Sequence, residues 1–256
     1  MSQTSAKVTA PQDPVKSKDA DAPTQAIRTL SNPTAQALRQ AHPVILLALF
    51  AARFRSLVAD PVSTMQSALP FILVLQAAYT IVCLPPAGSP QGGAKVAKKL
   101  RPGEKKRTDA DGTDSNLPVT TLLAIILTTI GAATLHVLLV LFGAPFLSHL
   151  SHTFLCSLHL SILGLYPLFY ARGISGKAWL EILGGLAPFD EAYGGLVGAC
   201  VGAWLGAIPI PLDWDREWQK WPVTILCGVY AGYAVGKIIG GTLAFGKRFA
   251  DAAEST

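Results

Sequence analysis

Six stretches of nearly unbroken apolar side chains punctuate this chain, separated by connections rich in polar residues, glycine and proline. Their approximate limits are 42–58, 62–84, 118–142, 154–170, 193–210 and 222–241. An α-helix rises about 1.5 Å per residue, so about 20 apolar residues span the hydrocarbon core of a bilayer. The pattern predicts an all-α polytopic membrane protein, a bundle of about six transmembrane helices. The first segment is the least regular, because Arg53 and Arg55 follow its pure apolar stretch Val44 to Ala52. Arginine is costly at a bilayer centre but snorkels near a helix end, so a span ending near Asp60 is preferred to an interfacial or re-entrant helix.

The connections have distinct compositions. Residues 1–41 carry no apolar run and read as a disordered cytosolic tail. With no apolar core of a signal peptide there, the first hydrophobic segment is expected to be an uncleaved anchor. Residues 85–117 form a flexible loop with a basic cluster of Lys95, Lys98, Lys99, Arg101, Lys105, Lys106 and Arg107. A solvated cytosolic loop explains that cluster more simply than an anionic-lipid site or a nuclear-import-like patch. Lys177, Trp179 and Glu181 in the 171–189 connection suggest a short helix lying at the membrane interface. Residues 246–256 form a cytosolic C-terminal tail.

Within the last two apolar segments the glycines are periodic. Gly194, Gly198, Gly202 and Gly206 recur every fourth residue, and Gly228, Gly232, Gly236 and Gly240 do the same. That spacing places each quartet on one helix face. Interior glycine costs a helix about 1 kcal/mol relative to alanine in water, and close backbone packing between membrane helices offsets such a loss. Both quartets therefore read as packing faces, with the opposing helix left open.

Composition agrees: half of the residues are hydrophobic and 14% are charged, against about 25% in a soluble domain, and the mean hydropathy is +0.40. The formal charge of +5 does not argue for nucleic acid, since the basic residues lie in connections. An even number of spans puts the N-terminal tail, the 85–117 and 171–189 connections and the C-terminus on one side. Arg216 and Lys220 stand alone on the other, unless Arg53 and Arg55 emerge there. The positive-inside rule makes the first side cytosolic. Lys237, about a turn from that end of the last segment, either snorkels or pairs with an acid such as Glu181. Cys83, Cys156, Cys200 and Cys227 all fall in apolar segments without metal-type spacing, and read as small buried residues.

The connection PIPLDWDREWQKWP, residues 209–222, concentrates the remaining chemistry. Its prolines stop one helix and restart the next. Trp214, Trp218 and Trp221 suit the headgroup region. Asp213 and Asp215 form a D-x-D pair able to contribute to a divalent-metal site, but carboxylates need further oxygen partners. A loop locked by acid to backbone N–H bonds and by an Asp to Arg216 pair is the stronger reading. A small lumenal D-x-D transferase acting on a lipid-linked glycan is the alternative. His136 and His159 read as hydrogen-bonded bundle residues, and His149 with His152 makes a poor metal site without a carboxylate. No H-E-x-x-H, phosphate-binding Gly-Lys-Ser/Thr loop or G-x-S-x-G motif occurs. A transporter lacks the expected intramembrane polar pathway.

The stretch GAWLGAIPIPLDWDREWQKWPVTILCGVYAGYAVG, residues 202–236, resembles the signature of the PIG-F family of glycosylphosphatidylinositol (GPI) anchor assembly. The specific match covers about Gly194 to Gly240, and the hydropathy plan agrees over about 42–245. Glu217 stands where many relatives have proline, which bears only on local stiffness. The resemblance implies a multi-pass endoplasmic-reticulum protein with cytosolic termini. It would be a non-catalytic subunit that binds and stabilises large GPI ethanolamine-phosphate transferases similar to PIG-O and PIG-G, supporting ethanolamine-phosphate addition to GPI-anchor mannoses. No cofactor is implied in this chain, zinc belonging to the partner's lumenal catalytic domain. The expected contacts with the partner's membrane domain, or with lipid including the GPI precursor, are Gly194, Gly198, Gly202, Gly206, Asp213, Trp214, Asp215, Arg216, Trp218, Trp221, Gly228, Gly232 and Gly236.

Overall fold

In a computed structural model of the protein, residues 24–89, 117–212, 214–249 and 251 are described. Among them the secondary structure is entirely helical. Helices α1 (Pro33–Ala59) and α2 (Pro61–Cys83) form a hairpin joined by Asp60 alone. The Asp60 N–H donates to Ser56 O at 2.8 Å, closing α1, while its carboxylate accepts from Ser63 N at 3.2 Å, opening α2. Pro61 fits the first turn of α2, where no N–H is needed.

α1 starts upstream of the expected limit at 42. Asn32 caps it, its side chain accepting from Ala35 N at 2.6 Å, and Pro33 occupies its first turn. The residues before it also lie on the bundle: Ile27 is 2% exposed and Leu30 N donates to Cys83 O at 2.9 Å. Residues 24–41 are thus ordered structure, docked through Ile27, Leu30 and Ala35, where a tail is expected. Hydrogen bonds and caps fasten them, and hydropathy registers neither. Residues 1–23, the basic cluster within 90–116 and residues 252–256 lie outside the described residues.

Helix α3 (Leu117–Leu141) lies at the periphery, with Val119, Leu122, Ile126 and Ile130 exposed, as suits a lipid-facing side. The next crossing, Leu150–Arg172, has three parts: α4 (Leu150–Leu160), a π-helical turn at Ser161–Leu165, and α5 (Tyr166–Arg172). Its irregularity has a covalent cause. The Tyr166 N–H reaches back to Ser161 O, and Pro167 has no N–H to offer, so the Ile162 and Leu163 carbonyls lose their usual helical donors. Gln76 of α2 supplies the replacement, its amide nitrogen donating to Ile162 O at 3.1 Å and Leu163 O at 3.0 Å.

A short helix, α6 (Gly176–Leu183), follows at the position expected for an interfacial one. It exposes Leu180 and Leu183 and buries Ala178 and Ile182. Helices α7 (Glu191–Ala207) and α8 (Val223–Gly241) complete the chain as an antiparallel pair. α1, α2, α3, Leu150–Arg172 and α8 are each long and apolar enough to cross a membrane. α7 has 17 residues and stops at Ala207, short of the expected 210, before Pro209 and Pro211. The main core lies between α1, α2, α4, the π-helical turn and α8 around Leu46, Met65, Cys156, Leu163, Leu226 and Tyr230. All four cysteines are free thiols; Cys83 and Cys156 are buried, while Cys200 is exposed.

Candidate functional site

The two glycine quartets face each other. A Cβ on Gly202 would fall on Gly228 O, one on Gly198 on Gly232 O, and one on Gly194 on Gly236 O. The reverse substitutions meet the reciprocal carbonyls, with Gly240 against Asp190 O and Gly206 against Thr224 O. In each case the hydrogen occupying the Cβ position points at a carbonyl across the seam, the arrangement of interhelical Cα–H···O contacts. The small faces are therefore consumed within the chain, which settles the opposing helix that periodicity left open. What faces outward is a groove of about 810 Å³ running over the seam. Val201, Leu205 and Val235 form its exposed walls, 51%, 50% and 55% exposed, and Pro209 and Trp218 line it near the loop.

Among the described residues, an amide locks the loop at that end. Gln219 fastens it, its amide donating to Pro209 O at 2.8 Å and Leu212 O at 2.7 Å while its oxygen accepts from Arg216 N at 2.9 Å. Among the described residues Arg216 has no ion pair, and the loop's ion pair is instead Lys220 with Glu217. An amide carries both donors and an acceptor, so it can tie three backbone groups where a carboxylate can only accept. Asp213 lies outside the described residues, and Asp215 sits at φ 50°. The rings of Trp214 and Trp218 pack with centroids 5.8 Å apart. Trp221 is tied to α4 through its indole N–H, which donates to Thr153 Oγ1 at 3.1 Å. Among the described residues no three His, Cys, Asp or Glu side chains converge as a metal-ligand group.

The opposite end of the bundle carries a charged cluster that sequence reading did not assemble. Lys237 is 2% exposed; it pairs with Glu191 at 3.9 Å, not with Glu181, and lies 3.6 Å from the centre of the Tyr79 ring. Its ammonium also donates to Arg39 O at 3.4 Å. Pro43 explains that carbonyl's availability, because it lacks the N–H that Arg39 would receive four residues on. The Glu191 carboxylate accepts from Tyr79 OH at 2.7 Å and pairs with Arg39. Beside it Asp190 caps α7 through Tyr193 N at 2.9 Å and accepts from Ile27 N at 2.9 Å and Arg172 at 2.6 Å. Glu181 instead faces Arg248 at 3.8 Å. The available signals were Asp190 and Glu191 directly before an apolar run, and one lysine inside the last.

The histidines divide. His159 is hydrogen-bonded as expected, Nδ1 to Tyr230 OH at 2.8 Å and Nε2 to Met65 O at 3.1 Å. His136 packs edge-on against Phe154, and its buried Nδ1 has no partner among the described residues. His149 and His152 share a face with ring centroids 4.9 Å apart.

Taken together, these features define a polytopic helical membrane protein built around a glycine-seamed hairpin, fastened by ion pairs at one end and a tryptophan loop at the other. A family model described as "GPI biosynthesis protein family Pig-F" matches residues 41–241, and the chain belongs to that family. It is similar to glycosylphosphatidylinositol anchor biosynthesis protein 11 of Neurospora crassa, 53% identical over 223 residues, which cover 87% of this chain and 80% of that protein. The protein of the same name from Aspergillus fumigatus is 40% identical over 246 residues, covering 85% and 80%. A human protein named "GPI ethanolamine phosphate transferase, stabilizing subunit" is 40% identical over 108 residues, 41% of this chain and 49% of its own length. No solved structure matches the chain.

Proposed function

We propose that this chain is a non-catalytic membrane subunit that binds and stabilises a GPI ethanolamine-phosphate transferase, similar to PIG-O or PIG-G, and so supports ethanolamine-phosphate addition to GPI-anchor mannoses. The observation carrying this reading is the groove over the α7–α8 seam. Its floor is rigid because glycine backbones interlock beneath it, and its walls include exposed apolar side chains, Val201, Leu205 and Val235. A surface of that shape accepts a transmembrane helix closely, and packing rather than hydrophobicity drives helix association in lipid. The relatives' names support the pairing with a transferase. The reading includes a location in the endoplasmic-reticulum membrane with cytosolic termini, supported by the one-sided distribution of Lys and Arg.

The test leaves the seam intact and fills the groove. Val201→Trp combined with Val235→Trp, expressed as the full chain beside the transferase, is expected to reduce co-purification and transferase abundance while this chain stays folded and abundant. Unchanged association and unchanged transferase level would remove the groove from the contact.

A further inference from the structure

A second cavity opens on a different side of the bundle, between α1 and α2. It has a volume of about 280 Å³, against about 150 Å³ for an apolar cavity that binds benzene. On α1 its lining runs from Leu46 to Leu57, a rise of about 16 Å at 1.5 Å per residue, so it is a slot along the membrane normal. Phe50, Met65 and Ile72 contribute apolar walls. At its floor the polar atoms of His159 and Tyr230 are already spent on each other and on Met65 O. Leu49 and Phe71, 41% and 62% exposed, leave the slot open sideways towards lipid.

Beside the polar Thr64, His159 and Tyr230, the lining carries one Lys, Arg, Asp or Glu side chain. Arg53 is half-buried in the wall towards the end of α1, and among the described residues it has no carboxylate within ion-pair distance. A guanidinium with no carboxylate partner, set in a mainly apolar slot, suits an anion carried by something apolar. Arg55, two residues on, is exposed and does not line the slot. We propose that the slot holds one acyl chain of a phosphate-bearing membrane lipid, with Arg53 gripping the headgroup phosphate at its mouth. The occupant comes from the surrounding bilayer, and the site is separate from the groove over the α7–α8 seam. The proposal does not depend on the transferase reading.

The test uses the full chain, purified in mild detergent, delipidated and titrated with phosphatidylinositol or with phosphate-free diacylglycerol of the same acyl chains, with native mass spectrometry reading the bound mass. Phosphatidylinositol is expected to bind singly and about tenfold more tightly than diacylglycerol, the scale of a charge-assisted phosphate contact. Arg53→Ala should bring the two lipids level, and Arg55→Ala should change neither. Ala68→Trp, filling the slot, should abolish binding of both. Leu49→Trp at the exposed opening should do the same if Ala68→Trp fails to fold. Equal affinity for the two lipids in the unmodified chain, or full phosphatidylinositol binding to the slot-filled variant, would overturn the site.

Discussion

Arg172 donates to the carboxylate of Asp190 at 2.6 Å, and both side chains are sealed from solvent, 4% and 0% exposed. The same carboxylate caps α7 and receives the N–H of Ile27, so one residue joins α5, α7 and the N-terminal segment. Removing one partner of a buried pair strands the other charge and costs about 3–5 kcal/mol. Asp190→Ala should therefore destabilise the protein by about that amount, read as a lower melting temperature in detergent, and should expose residues 24–32 to protease. Arg248→Ala should cost less, about 1–2 kcal/mol: it removes donors to Thr24 O and Leu186 O, both at 2.9 Å, but Arg248 is part-exposed and its ion pair with Glu181 spans 3.8 Å, so no fully buried charge is stranded.

The glycine seam makes a steeper claim about size. A methyl group on Gly202 meets the carbonyl of Gly228, which is backbone and cannot turn aside. Gly202→Ala should cost about 1–3 kcal/mol through overpacking, and Gly202→Leu should prevent the α7–α8 hairpin from closing. Gly176→Ala is the matched comparison. Nothing lies within 4 Å of the added methyl, and the residue opens α6, so stability should hold or rise by about 0.4–1 kcal/mol. Melting temperatures of the three variants in one detergent check the ordering.

Gln76 predicts a coupling. Gln76→Leu leaves two carbonyls in the membrane interior without their donor and should cost about 1–3 kcal/mol. Pro167→Ala restores an N–H to the same turn. It should therefore be more favourable in the Gln76→Leu background than in the natural chain, by about 0.5–3 kcal/mol of interaction in a double-mutant cycle. Strict additivity would show that the amide and the proline act independently.

The connection between α7 and α8 separates the amide from the acids. Gln219→Ala removes the donors to Pro209 O and Leu212 O and should make residues 208–222 sensitive to limited proteolysis. Asp215→Asn should leave that sensitivity unchanged, because Arg216 and Asp215 form no ion pair among the described residues. Equal protection in Gln219→Ala would place the lock elsewhere.

How far the chain could be read without coordinates follows from the range of each interaction. Apolar runs and the fourfold glycine period are local, so the helices and the packing faces were legible, as was the family through the 202–236 stretch. Gln76, Asp190 and Glu191 were not, because each is a single polar residue whose partners are distant in the chain. Gln76 reaches a carbonyl 86 residues on, and Asp190 receives an N–H from 163 residues back. The start of α1 at Pro33 is hidden from hydropathy for a related reason. A cap at Asn32 and a bond from Leu30 to Cys83 O order residues that hydropathy alone leaves blank. In the sequence the loop's acids suggest chemistry, while the amide beside them carries the geometry.

The interlocked glycines have one more implication. Because both helices repeat glycine every four residues, sliding one past the other by four residues, about 6 Å, would bring glycine opposite glycine again along most of the seam, so it resembles a ratchet whose teeth are nearly alike. Its shape alone does not choose the notch. The choice falls to the two unlike ends, where Gln219 sets the length of the connecting loop and Lys237 must meet Glu191. The polar residues at the extremities thus act as the pawl, selecting one alignment from a set that the apolar interior would treat as equivalent.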